Sequence, residues 1–367
     1  MMIYVNSPVA EWHVRTTGFQ TDVKWTYDVQ EFIQSSADRT ACLELLGDVK
    51  PTAVLHVPFP WDRGPGLVFE DTVNQIIDHC DRIAILCSEL HETTVDFMLR
   101  YSDPKIRYFL CGTVVGVDST PWMDWFTTSS FFYKNNPAVL SALDPYQPKP
   151  KIFDILLGQP KPHRDTVYRY INDKGLQDRV VMTYLRGLNQ TIPNSDSDEF
   201  IWEDDLELVE KDIKWTVTPV KYHGQDMSLS QVVPIKIYNQ TAYTVVCETN
   251  FSNHFNFYTE KIVKPILAER LFIVLSGQHY LKNLRSFGFK TFDGIIDETY
   301  DTVADNEERF KLACEQISYL MAQPQEEILA KIRPIAEHNK QVMLTTEWSV
   351  DYFKLLREFL LAHTEQN

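Results

Sequence analysis

The chain has 367 residues, 44% of them hydrophobic and 23% charged, and a formal net charge of −16. Such a length suits two domains better than one core, and the composition is that of a soluble globular protein. Wide polyanion-binding surfaces are basic, so an extended nucleic-acid or membrane-surface partner is disfavoured, whereas a small anionic ligand held by a few local Lys and Arg is compatible.

The first residues, MMIYVNSPVAEWHV, lack the basic start and long apolar run of a secretory signal, and no later stretch is long enough for a transmembrane segment. The six cysteines form no C-x-x-C pair, and several sit in apolar runs. They read as small buried residues in a reducing compartment, so a cytoplasmic location is expected.

The runs at 53–59 (AVLHVPF), 82–88 (RIAILCS) and 105–112 (KIRYFLCG) read as buried strands. Between the first two, FEDTVNQIIDHC places Val73, Ile76 and Ile77 on one helical face, and HETTVDFMLRY separates the second from the third. That alternation is the pattern of a parallel sheet covered by helices. The stretch that follows, with Pro137, Pro145, Pro148 and Pro150, reads as an interdomain connection.

A second alternation then begins. KIFDILLG reads as a strand, HRDTVYRYINDKG as a helix closing at Gly175, and RVVMTYL as the next strand. The polar loop NSDSDEFIWEDD follows, then the strand AYTVVCET at 242–249, the helix TEKIVKPILAE and the strand LFIVLSG. Three helical patterns complete the chain, the second with a bend or break expected at Pro334.

The fold class is therefore α/β. Two Rossmann-like domains are expected at 1–140 and 152–345, joined by a proline-rich linker at 141–151. A C-terminal helix at 346–367 follows, for which packing back on the first domain is one option. Ligands of such folds lie at the carboxyl ends of the strands, and the expected site is a cleft between two facing domains.

The most informative stretch is NFYTEKIVKPILAERLFIVLSG, residues 256–277. Glu260 and Lys261 fall in the first turn of a helix, where unsatisfied backbone N–H groups attract anions. A lysine there can reach a phosphate, and a glutamate beside it can accept from both hydroxyls of a ribose. The pair thus matches the two halves of a nucleotide. An isolated Glu-Lys pair more often means a carboxylate at the helix dipole and a solvated lysine.

The surrounding segment, VVCETNFSNHFNFYTEKIVKPILAERLFIVLSGQHYLKNLRSFGF, resembles the donor-binding region of GT-B glycosyltransferases of the α1,3-fucosyltransferase type and, more loosely, the exostosin-like families. The parts that carry the resemblance are Glu248, Tyr258, Thr259, Glu260, Lys261 and Gly277. It implies a GT-B-like fold whose first domain binds the acceptor and whose second binds a nucleotide sugar, with Glu260 on the ribose and Lys261 on the pyrophosphate. The same families keep an arginine near the start of the second domain, which here is Arg164. A guanidinium fork suits a diphosphate leaving group, and this reading is favoured over the alternative that His163 and Arg164 do no more than solvate a helix end.

Other candidates are weaker. Asp196 and Asp198, and Glu203 to Asp205, are the residue types that hold a divalent cation, but they sit in polar turns, and no metal or cofactor is expected. No histidine pair has zinc spacing. For catalysis, Glu89 just past the 82–88 strand is the expected general base, with Glu92 and Glu70 as rivals. The expected activity is transfer of a sugar from a nucleotide-sugar donor to an acceptor hydroxyl on a glycan. A non-catalytic carbohydrate- or nucleotide-binding protein, or another nucleotide-sugar enzyme such as an epimerase, is the alternative.

Overall fold

The structure is a computed structural model that describes residues 2–5, 10, 15, 24–26, 52–57, 67–87, 90–184, 203–209 and 219–361. It divides into two compact units, one comprising Met1–Asp124 with Glu347–Asn367, the other Trp125–Thr346.

In the first unit the strands are β1 (Met2–Val5), β2 (Lys24–Thr26), β3 (Thr52–Val57), β4 (Arg82–Cys87), β5 (Ile106–Leu110), β6 (Gly112–Val114) and β7 (Ser119–Pro121). Six of them form a parallel sheet in the order β2-β1-β3-β4-β5-β7. Its crossovers include α1 (Leu67–Ile76) and α2 (Glu92–Arg100). The central strands are mostly apolar, with Val54, Leu55, Ile83 to Cys87 and Phe109 fully buried, as expected of parallel strands covered on both faces.

The last helix of the chain, Val350–Leu361, belongs to this unit. Tyr352 stacks on Trp122 with centroids 5.3 Å apart and meets Phe109 edge-on at 5.4 Å. Leu356 and Leu360 join the same core. Arg82 donates to the carbonyl of Phe359 at 2.9 Å, meeting acceptors that a helix C-terminus leaves unpaired.

The second unit opens with α3 (Asp124–Asn135), which starts at the unit boundary, and α4 (Pro137–Ser141). Its parallel sheet is built from β8 (Lys151–Leu157), β9 (Val180–Tyr184), β13 (Thr241–Cys247) and β15 (Phe272–Leu275), in the order β15-β13-β8-β9. Between β9 and β13 lies an antiparallel set, β10 (Leu206–Leu208), β11 (Pro219–Tyr222) and β12 (Gln225–Ser228). The β11–β12 turn holds His223 and Gly224 at φ +47° and +76°, the paired positive angles of a tight hairpin. The short strand β14 (Phe255–Phe257) follows β13.

The proline-rich stretch lies inside the second unit, and side chains explain why. Tyr146 donates to Glu269, Lys149 exchanges two bonds with Gln325, and Asn239 donates to the carbonyl of Ala142. The division instead falls at Trp125. Helix Gln325–Thr345 continues through Pro334, so of the expected bend or break at that residue there is no break. Among the described residues no helix is long and apolar enough to cross a membrane.

Candidate functional site

The strand order of the second sheet reverses beside β8: the chain leaves to one side for β9 and returns on the other for β13. In open parallel sheets such a switch point opens a crevice at the carboxyl ends of the two strands. From β8 the chain runs through Gly158, Gln159, Pro160 and Lys161 into helix Pro162–Asp173, whose first residue is a proline that needs no N–H partner. From β13 it runs through Glu248, Thr249 and β14 into helix Glu260–Leu267.

Thr259 starts that helix. Its backbone is extended and its hydroxyl accepts from the Lys261 N–H at 3.3 Å, the usual device at an N-cap. Glu248 holds Thr259 from below. The Glu248 carboxylate is fully buried and gathers four donors: the Thr259 hydroxyl at 2.7 Å, the Tyr280 hydroxyl at 2.8 Å, and the N–H groups of Thr249 and Thr259 at 3.1 and 3.3 Å. Burial pushes its pKa up, opposed by the Lys261 charge and the Thr259 hydroxyl.

Lys261 Nζ lies 2.7 Å from Glu260 Oε1, 3.2 Å from Thr249 Oγ1 and 3.4 Å from Thr259 Oγ1. Its side chain is 24% exposed, that of Glu260 8%. Burial alone would raise the Glu260 pKa, but the charges of Lys261 and Lys264 outweigh it and hold the carboxyl below its ordinary value. Glu260 is thus an ionised acceptor at neutral pH.

Arg164 is 4% exposed. It donates to the Gln159 carbonyl at 2.7 Å and the Glu248 carbonyl at 3.2 Å, so it spans the ends of both strands, while its Nε has no partner. Gly158 makes room for it, since a Cβ there would stand 3.1 Å from Nη1. His163 Nε2 lies 2.8 Å from the same Glu248 carbonyl. A carbonyl only accepts, so Nε2 carries the proton and Nδ1 is a bare, unpartnered acceptor. Burial, then the Arg164 charge, push the imidazole pKa well down, and the ring is neutral. Gly277, after β15, permits a close approach of the loop that follows β13: a Cβ there would fall 2.2 Å from the Ser252 carbonyl oxygen.

Of the residues expected to contact a donor, Glu248, Thr259, Glu260, Lys261 and Arg164 are brought together at the carboxyl ends of β8 and β13. Lys261 presents the largest exposed surface, and Glu248, Thr259 and Arg164 support it from beneath. Tyr258 does not face outward. It is 1% exposed, packs against Phe126, Tyr280 and Phe287, and donates to the Tyr280 carbonyl at 3.2 Å. Aromatic bulk on the strand side of a helix start is held by the core, and Tyr258 anchors the helix rather than a ligand.

Sequence reasoning missed three residues here. Lys161 Nζ donates to the Thr249 carbonyl; its signal was a lysine flanked by two prolines at a strand-to-helix turn. Tyr280 orients Glu248. Lys264 donates to the Ser230 carbonyl at 2.8 Å, with its pKa pushed down by burial.

Glu89, Asp196 and Asp198 lie outside the described residues. Glu70 is bound to Arg100 at 3.1 Å and Tyr101 at 3.2 Å, and Glu92 is exposed in the first turn of α2. Glu203 accepts the Lys236 N–H at 3.1 Å, Asp204 pairs with the Lys236 ammonium at 3.0 Å, and Asp205 sits 3.6 Å from His223. Among the described residues no group of three or more His, Cys, Asp or Glu is placed to hold a metal ion. Comparison with protein-family models, with curated proteins and with solved structures returns no match.

Proposed function

We propose that the chain is a glycosyltransferase of the GT-B class that moves a sugar from a nucleotide-sugar donor to an acceptor hydroxyl on a glycan. One observation carries this reading. The Glu260–Lys261 pair stands at a helix start beside a strand-order switch, braced by a buried Glu248. An ionised acceptor next to an ammonium at such a place suits ribose hydroxyls on one side and a phosphate on the other.

In this reading Glu260 accepts from the ribose and Lys261 donates to the diphosphate. Charge on that diphosphate grows as the glycosidic bond breaks, and fixed positive groups stabilise it most in the transition state. Arg164 adds charge from beneath while holding the ends of β8 and β13 together. Glu248 and Tyr258 keep the helix start in place. Glu89 takes the proton from the attacking hydroxyl. The reaction needs no resident cofactor, and the place of action is the cytoplasm.

The test is incubation of the protein with a panel of nucleotide sugars and glycan acceptors, reading release of nucleoside diphosphate. Acceptor-dependent release supports transfer. Saturable nucleotide binding without release would mark a binding protein, and conversion of one nucleotide sugar into another an epimerase.

A further inference from the structure

We infer that Lys264 is a second ribose-binding residue of the nucleotide site, donating to the hydroxyl oxygens whose hydrogens Glu260 accepts; this rests on the nucleotide reading above. Helical spacing puts the two residues side by side. Side chains four apart on a helix are neighbours on one face, and helical side chains lean back toward the helix start. In helix Glu260–Leu267 the stem of Lys264 therefore runs toward the turn that carries Glu260. The charge of each residue acts on the titration of the other.

The ammonium has donors to spare. Lys264 Nζ donates to the Ser230 carbonyl at 2.8 Å, in the short turn Leu229–Gln231. Among the described residues it meets no second acceptor and no carboxylate within ion-pair distance. A lysine ammonium carries three donors, so two are open. Lys264 is half-buried and burial pushes its pKa down, so bulk water does not fully serve them. The hydroxyl of the same Ser230, in a residue 7% exposed, also has no partner. Buried polar groups left unmet at one place mark where a ligand group completes the set.

Sugar hydroxyls fit this set. Each offers one hydrogen and two lone pairs. The ionised Glu260 carboxylate only accepts, so it takes the hydrogens and leaves the oxygens in need of donors. Lys261 is engaged by Glu260, Thr249 and Thr259 and faces the phosphate in this reading. Arg164 donates to the Gln159 and Glu248 carbonyls. Lys264 supplies the missing donors, and a charged donor to a hydroxyl oxygen is stronger than a neutral one.

The experiment is calorimetric titration of wild type, Lys264→Met and Lys264→Arg with UDP, GDP and ADP and with the dideoxy analogue of each, which lacks both ribose hydroxyls. It is run at about pH 8, where Glu260 is ionised in every variant, so no loss arises from its protonation. Melting curves verify folding, and Lys264→Gln is read in place of Lys264→Met should the latter not fold. Wild type should prefer the ribonucleotide. Loss of one charge-assisted hydrogen bond predicts ribonucleotide affinity about ten- to hundredfold lower in Lys264→Met. Affinity for the dideoxy analogue should stay at the wild-type value, and Lys264→Arg should recover much of the loss. Equal weakening of both ligands, or no weakening, overturns the assignment of Lys264 while leaving the nucleotide reading intact. A wild-type protein that binds ribo and dideoxy forms equally overturns the ribose roles of Glu260 and Lys264 together, and one that binds no nucleotide overturns the whole reading.

Discussion

Three arginines are buried in the second unit, and two of them, Arg270 and Arg164, are used in opposite ways. Arg270 precedes β15 and is saturated. Its guanidinium pairs with Asp154 at 2.8 Å, donates to Thr241 and Thr244 hydroxyls and to the carbonyls of Tyr238, Thr241 and Tyr243, and lies 4.2 Å from the Tyr238 ring centroid. Arg164, at the carboxyl ends of β8 and β13, meets two carbonyls, has an idle Nε and forms no ion pair among the described residues. A buried charge with every donor met is part of the scaffold. In the proposed reading, one that forms no ion pair, beside the partly exposed Lys261, is where a ligand would complete the electrostatics.

The largest effect should come from the saturated site. Arg270→Met leaves Asp154 buried without its partner and should destabilise the fold by about 3–5 kcal/mol in urea denaturation. A loss under about 1 kcal/mol would show that the contrast between the two arginines is one of appearance only.

At the open site the effect should move from stability to binding. Lys261→Ala should weaken nucleoside diphosphate binding by about 1.5–3 kcal/mol, with a near-normal melting temperature. A variant with unchanged affinity would remove Lys261 from the site.

Arg164→Met should fall between. Two hydrogen bonds to carbonyls are lost and no carboxylate is orphaned, so the stability loss should be about 1–2 kcal/mol. Turnover should fall by a larger factor than substrate affinity, because the leaving charge peaks in the transition state. Wild-type turnover in a folded variant would make Arg164 a purely structural tie.

The smallest effect sharpens the same contrast among carboxylates. Glu260, beside two lysines, is held below its ordinary pKa, whereas burial pushes Glu203 up to about 7. The folded Glu203 therefore binds its proton more tightly than the unfolded one. Its neutral form stabilises the fold fully below the ordinary carboxylate range, and that contribution is lost as pH rises to about 7. Glu203→Gln should flatten this decline, gaining melting temperature relative to wild type at pH 8 but not at pH 4. Parallel stability curves for variant and wild type would contradict the shift.

Much of this arrangement was legible in the sequence. The apolar runs at 82–88 and 242–249 emerge as β4 and β13, because parallel strands buried on both faces leave an unbroken apolar signature. The helix start at Thr259-Glu260 was legible from its capping residue and first-turn acid. Helix Asp124–Asn135 was not, because Trp-Phe-Thr-Thr-Ser-Ser-Phe-Phe is rich in weak helix formers and is held by packing, as where Phe126 meets Tyr258 and Phe289. The proline-rich stretch was read as a linker because composition does not reveal that Tyr146 and Lys149 are tied to Glu269 and Gln325. The convergence of Lys161 and Lys261 on Thr249 was illegible for a related reason: the residues are far apart in the chain, and only the strand order brings them together.

The central claim is that a nucleotide diphosphate binds at the carboxyl ends of β8 and β13. Its most direct test is calorimetric titration of wild type and Lys261→Ala with a panel of nucleoside diphosphates. The account predicts saturable binding of at least one by wild type and about ten- to hundredfold weaker binding of the same ligand by the variant. Binding of none, or equal binding by both proteins, would contradict it.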